Sequence, residues 1–191
     1  MKTIKKEIYK NEFIIKNSKF ITIATNINSK DELEEFLNKY SDINATHNCY
    51  AYMIYDQKLI GGYNDDHEPK NTAGKPIFNV ISKNNLVNIV ILVIRYFGGI
   101  KLGASVLTRT YSNAASLIFK DLEIIEIKTY YQYLISFDIK NLKLVNQWIN
   151  QNNIEVISKD FSLNVVFKIR STSKITSCNF FKIIDFKTIK N

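Results

Sequence analysis

The chain has 191 residues, 46% of them hydrophobic and 23% charged, a balance that excludes general disorder and leaves enough apolar surface for a folded core. Its net charge of +8 favours an anionic partner, and the excess is uneven: residues 1–127 hold sixteen Lys/Arg against fourteen Asp/Glu, residues 128–191 ten against four. A Lys-, Asn- and Ile-rich composition accounts for that charge as readily as a functional basic face does. The two cysteines, Cys49 and Cys178, have no CxxC spacing, so neither a disulfide framework nor a zinc site is indicated and a reducing compartment fits. No apolar run approaches the roughly 18 residues of a membrane span, and a cytoplasmic location without membrane contact is expected.

In chain order, Phe13 to Ile15 and Phe20 to Ala24 predict an opening hairpin. Ser29 and Glu32 form a capping box ahead of Leu33, Phe36, Leu37 and Tyr40, the apolar face of a helix. Cys49 to Tyr55 and Leu59 to Tyr63 read as a second hairpin turning at Asp56, Gln57 and Lys58. A loop from Asn64 to Pro76 follows, holding both prolines. Ile77 to Ile81 opens a short helix with Thr72 as its cap, and Val87 to Ile94 is a β-branched run suited to a strand buried on both faces. Gly98, Gly99 and Gly103 break the pattern before a long helix lined by Val106, Leu107, Thr110, Tyr111, Ala114, Ala115 and Ile118.

Beyond Lys128 the pattern restarts. Tyr130 to Ile139 reads as a strand, Leu142 to Ile149 as a helix, and Ile154 to Ile157 and Phe161 to Ile169 as two further strands. Thr172 to Cys178 supplies a short helix and Phe180 to Ile189 a last strand, giving a ferredoxin-like βαββαβ unit. Two domains are expected, 1–127 and 128–191.

The chemistry-bearing residues cluster in three segments: Ala45-Thr46-His47-Asn48-Cys49-Tyr50-Ala51-Tyr52, Asp65 through Pro76, and Arg95-Tyr96-Phe97-Gly98-Gly99-Ile100-Lys101-Leu102-Gly103. A glycine turn before a helix start exposes backbone amides that suit an anion, and Lys75, Arg95, Lys101 and Arg109 add charge, with Tyr96 as a stacking surface. The turn is neither GxGxxG nor a Walker loop, so no nucleotide cofactor is implied. Two alternatives stay open there: an anion or RNA site at Lys75, Arg95, Tyr96, Gly98, Gly99, Lys101 and Arg109, or glycines that only permit close packing. Asp66, Glu68 and His47 are the candidates for acid–base work; with two histidines and no HExxH spacing, no metal is expected. Cys49 reads as a small core residue.

The same three segments resemble the signature of the IMPACT/YigZ family. The resemblance covers roughly Phe13 to Ile127 and implies an amino-terminal α/β domain like domain four of elongation factor G, followed by a ferredoxin-like domain. It implies a nucleic-acid- or ribosome-associated role, with eukaryotic members linked to translational control through a regulator of a stress-responsive kinase. Two departures stand out. Where the family has Asp-Gly-Glu-Pro-Ser-Gly, this chain has Asp66-His67-Glu68-Pro69-Lys70-Asn71, and where it has a Gly-Gly pair in the second helix, this chain has Ser105-Val106. The expectation is therefore an α+β binding protein, monomeric and without a cofactor, whose partner is RNA or the ribosome. The alternative is an enzyme acting on a phosphate- or carboxylate-bearing substrate.

Overall fold

The computed structural model describes all residues but Gln57, Leu163 and Asn191, together with the side chain of Lys190. The expected turn residue Gln57 therefore lies outside the described residues. The chain divides into two compact units, Met1–Glu126 and Ile127–Asn191. Both mix strands and helices, so the fold is α+β.

Unit 1 runs β1 (Lys2–Ile4), β2 (Tyr9–Ile15), β3 (Ser18–Asn26), α1 (Lys30–Tyr40), β4 (His47–Asp56), β5 (Lys58–Asn64), α2 (Gly74–Lys83), β6 (Ile89–Tyr96), α3 (Ala104–Leu117) and β7 (Ile124–Glu126). β2 to β6 form one five-stranded sheet in the order β2-β3-β6-β4-β5, with antiparallel neighbours throughout. β1 pairs with β7, an antiparallel ribbon that the short, charged ends of the unit did not announce.

The central β6 is buried from Ile89 to Arg95, as its β-branched run demands. Its alternate residues divide the core. Val90, Leu92 and Ile94 meet Leu33 and Phe36 of α1. Ile91 and Val93 point to the opposite face, where α2 and α3 lie: Thr22, cross-strand from Val93, donates to the Ala114 carbonyl of α3 at 3.4 Å. At the start of α1, Ser29 Oγ accepts the Glu32 N–H at 3.1 Å, while the Glu32 carboxylate reaches back to the Asn28 N–H at 3.0 Å, one residue before the expected cap.

Unit 2 runs β8 (Thr129–Phe137), α4 (Leu142–Gln151), β9 (Glu155–Asp160), β10 (Val165–Ser171) and β11 (Lys182–Lys190). The antiparallel sheet has the order β11-β8-β10-β9, which is the 4-1-3-2 order of a ferredoxin-like fold. Val145 and Ile149 of α4 bury Ile135, Phe167 and Ile169. The short second helix expected over 172–178 is not formed. Residues 172–180 carry no regular element beyond an isolated bridge from Cys178 to Phe181, and Ile175 and Phe180 pack on the core from an irregular segment instead. Ser and Thr at 171–173 and 176–177 compete locally for backbone hydrogen bonds, as Ser171 Oγ does by accepting the Ser173 N–H at 3.1 Å.

Candidate functional site

The three segments meet at one end of the unit 1 sheet. Register places Phe20, Arg95 and His47 in one cross-strand row, directly beyond the row of Thr22, Val93 and Cys49, so His47, Cys49 and Arg95 all face α3. The 65–74 loop folds over this face and delivers Glu68, while α3 delivers Tyr111. The Glu68 Oε1 atom accepts from Arg95 Nη1 at 2.5 Å and from the Tyr111 hydroxyl at 2.8 Å, and His47 Nε2 stands 3.8 Å away. The guanidinium lies over the rings of Phe20 and Phe97, 5.5 and 5.6 Å from their centroids. Burial pushes the Cys49 thiol and the Tyr111 phenol well above their ordinary pKa values, which keeps both neutral.

Asp65 organises the loop. Its Oδ1 accepts the N–H groups of Ala73 and Gly74 at 3.0 and 2.8 Å, and its Oδ2 that of Asn71 at 2.8 Å, so a carboxylate eight residues upstream of Ala73 caps α2. Thr72, the expected cap, instead donates to the Pro69 carbonyl at 2.6 Å. Asp66 accepts the Asn48 N–H through Oδ2 at 2.5 Å, and its carbonyl accepts the proton on His47 Nδ1 at 2.8 Å. Asp66 and His67 have φ of 39° and 65°, and Asn71 has 65°. Both positions where the resemblance expects glycine thus keep the left-handed backbone that glycine adopts at least cost.

The glycine turn is pinned on both sides. Tyr96 donates to Asp42 Oδ2 at 2.5 Å, the Phe97 N–H donates to Thr46 Oγ1 at 2.9 Å, and the Gly98 N–H donates to Ser18 Oγ at 3.1 Å. A Cβ on Gly98 would stand 2.0 Å from the Asn17 carbonyl carbon, so this glycine lets the β2–β3 turn approach. At Gly99 and Gly103 the requirement is conformational: φ is 83° and 75°, with open space where a Cβ would sit.

The residues expected to bind an anion fall into two groups. Arg95 is 4% exposed and committed to Glu68, which corrects its expected role as an open clamp. Lys75, Lys101 and Arg109 are exposed, on α2, on the turn and on α3, and among the described residues none has a carboxylate within ion-pair distance. Of the acid–base candidates, Glu68 is buried, whereas Asp66 and His47 are partly open and bonded to each other's segments. No group of three or more metal-ligating side chains occurs among the described residues. Sequence reasoning assigned neither Tyr111 to the cluster nor Asp65 to the cap; a tyrosine inside an otherwise apolar helix stripe was the available signal, since its hydroxyl needs a buried partner.

The model of the Impact N-terminal domain matches residues 16–119, and the chain is 34% identical over 174 residues to IMPACT family member YvyE of Bacillus subtilis, covering 90% of this chain and 80% of the relative. The chain belongs to the IMPACT family. A second IMPACT family member, from Haemophilus influenzae, is 33% identical over 79% of this chain and 75% of its own length, and YigZ of Escherichia coli is 25% identical over 81% and 78%. A crystal structure titled as that of a hypothetical protein shares the fold, with a TM-score of 0.61 at 23% identity over 89% of this chain and 84% of that one. The Impact N-terminal match spans the strands, loop and turn that build the Glu68–Arg95 cluster, so in this IMPACT protein the cluster is part of the family domain itself.

Proposed function

We propose that the protein is a nucleic-acid- or ribosome-associated binding protein acting in translation, and that RNA backbone is held at the glycine-turn end of unit 1. The observation that carries this reading is the division of the cations. Arg95 is sealed against Glu68 with its guanidinium over the Phe97 ring, while Lys75, Lys101 and Arg109 stand exposed with no acidic partner among the described residues. Phe97, 45% exposed on the same turn, adds a ring on which a base stacks. The basic balance of residues 128–191 adds attraction for an anionic partner.

A second reading is acid–base chemistry on an anionic substrate at Glu68, favoured by the convergence of His47 and Tyr111 on its carboxylate. It is the weaker reading, because Glu68 is 3% exposed at its side chain and already accepts two hydrogen bonds.

The deciding experiment is a titration of the protein against short single-stranded RNA and isolated ribosomal subunits over a range of salt. Affinity should fall steeply with salt, and reversing the charges of Lys75, Lys101 and Arg109 together should lower the log–log slope by about 2 for single strands. Unchanged affinity in that variant removes the site, and no binding at low salt removes the function.

A further inference from the structure

Unit 2 has an open groove of about 760 Å³ where β8 ends and β11 begins, beside the irregular segment that replaces the second helix. Phe180 and Phe181 lie in its wall, and Ile139, Phe161 and Ile184 stand around it with 59%, 53% and 56% of their surfaces exposed. Burying such side chains takes apolar area out of water, so three of them left open around one depression mark a surface suited to a contact. The volume falls within the usual range for a bound ligand or an anchor segment.

Charge selects the occupant. Among the described residues two charged side chains line the groove. Asp138 is neutralised by Lys140, which approaches at 3.1 Å, while its carboxylate also accepts the Lys140 N–H at 3.0 Å. Lys182 has no ion pair among the described residues. The surrounding unit carries ten Lys/Arg against four Asp/Glu over residues 128–191. A second copy of the chain would bring the same positive excess and be repelled. RNA takes several cations along its backbone, and among the described residues lining the groove Lys182 is the one cation.

We propose that this groove docks an acidic peptide segment of a partner protein, with apolar anchors against Ile139, Phe161 and Ile184 and a carboxylate on Lys182. The site is separate from the RNA-binding end of unit 1 and does not depend on it. The irregular segment that stands in place of the expected helix forms one side of the groove through Cys178, Asn179 and Phe180.

A library of random short peptides displayed on phage, selected on the immobilised full chain, tests the proposal. Enriched peptides should combine Leu, Ile, Phe or Trp with Asp or Glu. Their synthetic forms should change the fluorescence of Trp148, the single tryptophan, whose ring lies 4.6 Å from that of Phe181. Ile184→Asp and Lys182→Glu should each weaken binding by about tenfold or more. Hydrogen exchange on the unaltered chain with an enriched peptide should show protection at 178–184, which reads the site independently of how either variant folds. Failure to enrich, enrichment of basic peptides, or protection confined to unit 1 overturns the proposal. Displacement of the peptide by RNA reassigns the groove to nucleic acid, and concentration-dependent dimerisation lost in Ile184→Asp reassigns it to self-association.

Discussion

Glu68 Oε1 and Arg95 Nη1 meet at 2.5 Å with only 3% and 5% of their side chains exposed, so the one arginine in the central strand of the unit 1 sheet is neutralised by a residue from the loop above it. The contact joins β6, the 65–74 loop and, through Tyr111, α3. Glu68→Ala leaves a guanidinium buried without its counter-charge and should destabilise the fold by about 3–5 kcal/mol. The pair replacement Glu68→Leu with Arg95→Met should recover part of that loss, since it leaves no buried charge unpaired; the remainder is the buried Tyr111 hydroxyl, which loses its Glu68 acceptor. Urea unfolding of the three chains measures both numbers. A double variant no better than the single one would mean that the pair is more than a balanced charge.

The loop that carries Glu68 holds His67 and Asn71 at φ of 65° each. His67 is exposed, and no hydrogen bond of its side chain is seen among the described residues, so His67→Gly removes left-handed strain and should stabilise the protein by up to about 1 kcal/mol. Asn71→Gly should give less or nothing. Asn tolerates this backbone, and its Oδ1 accepts the Tyr63 hydroxyl at 3.0 Å, a bond that glycine forfeits. Thermal unfolding of the two variants separates the cases; equal shifts would show that backbone strain is not what distinguishes them.

Periodic segments were legible in the sequence because each is built from one repeating physical demand. The 3.6 period of Leu33, Phe36, Leu37 and Tyr40 gave α1, and the β-branched run through Val93 gave the buried strand. Unit 2 was legible as strands and one helix, but Thr172 to Cys178 has too few apolar positions to hold a helix against the sheet, and it takes an irregular path. At the candidate site, composition located the segments without showing which cations stay open. Arg95 and Lys101 are equally basic in the sequence; the strand register that turns Arg95 inward beside Phe20 and His47 depends on pairings far apart along the chain. Asp65 was hidden for a related reason, since it caps a helix from across a folded loop instead of from the position before it.

Thiol chemistry offers a check on the packing of the sheet face. Cys49 is buried, its Sγ donates to the Asp65 carbonyl at 3.0 Å, and burial raises its pKa, whereas Cys178 is exposed. A thiol reagent at neutral pH should therefore modify Cys178 promptly and Cys49 only after denaturation. Cys178→Ser should abolish the fast phase. Rapid labelling of Cys49 in the native protein would show that the 65–74 loop opens on the timescale of the reaction.

The hydrogen bond from Tyr96 to Asp42 predicts a pH dependence with two limbs. The Tyr96 hydroxyl holds the Asp42 carboxyl below its ordinary 3.8, with the Asn44 N–H adding to the effect. A depressed carboxylate contributes stability that is full above 3.8 and lost as pH falls through the lower folded value. The same bond holds the Tyr96 phenol above its ordinary 10.0, so its contribution is full below 10.0 and lost as pH rises through the raised folded value. Tyr96→Phe should therefore be less stable than the parent by a constant amount between those limits, with the two curves converging at both extremes. Some acid dependence should persist in the variant, because the Asn44 N–H still donates to Asp42. Both groups are only partly buried, so the effect is small and is best read as the shape of the difference curve from urea midpoints against pH. Curves that run parallel throughout would show that the bond does not hold in solution, and with it would go one of the three hydrogen bonds that pin the glycine turn.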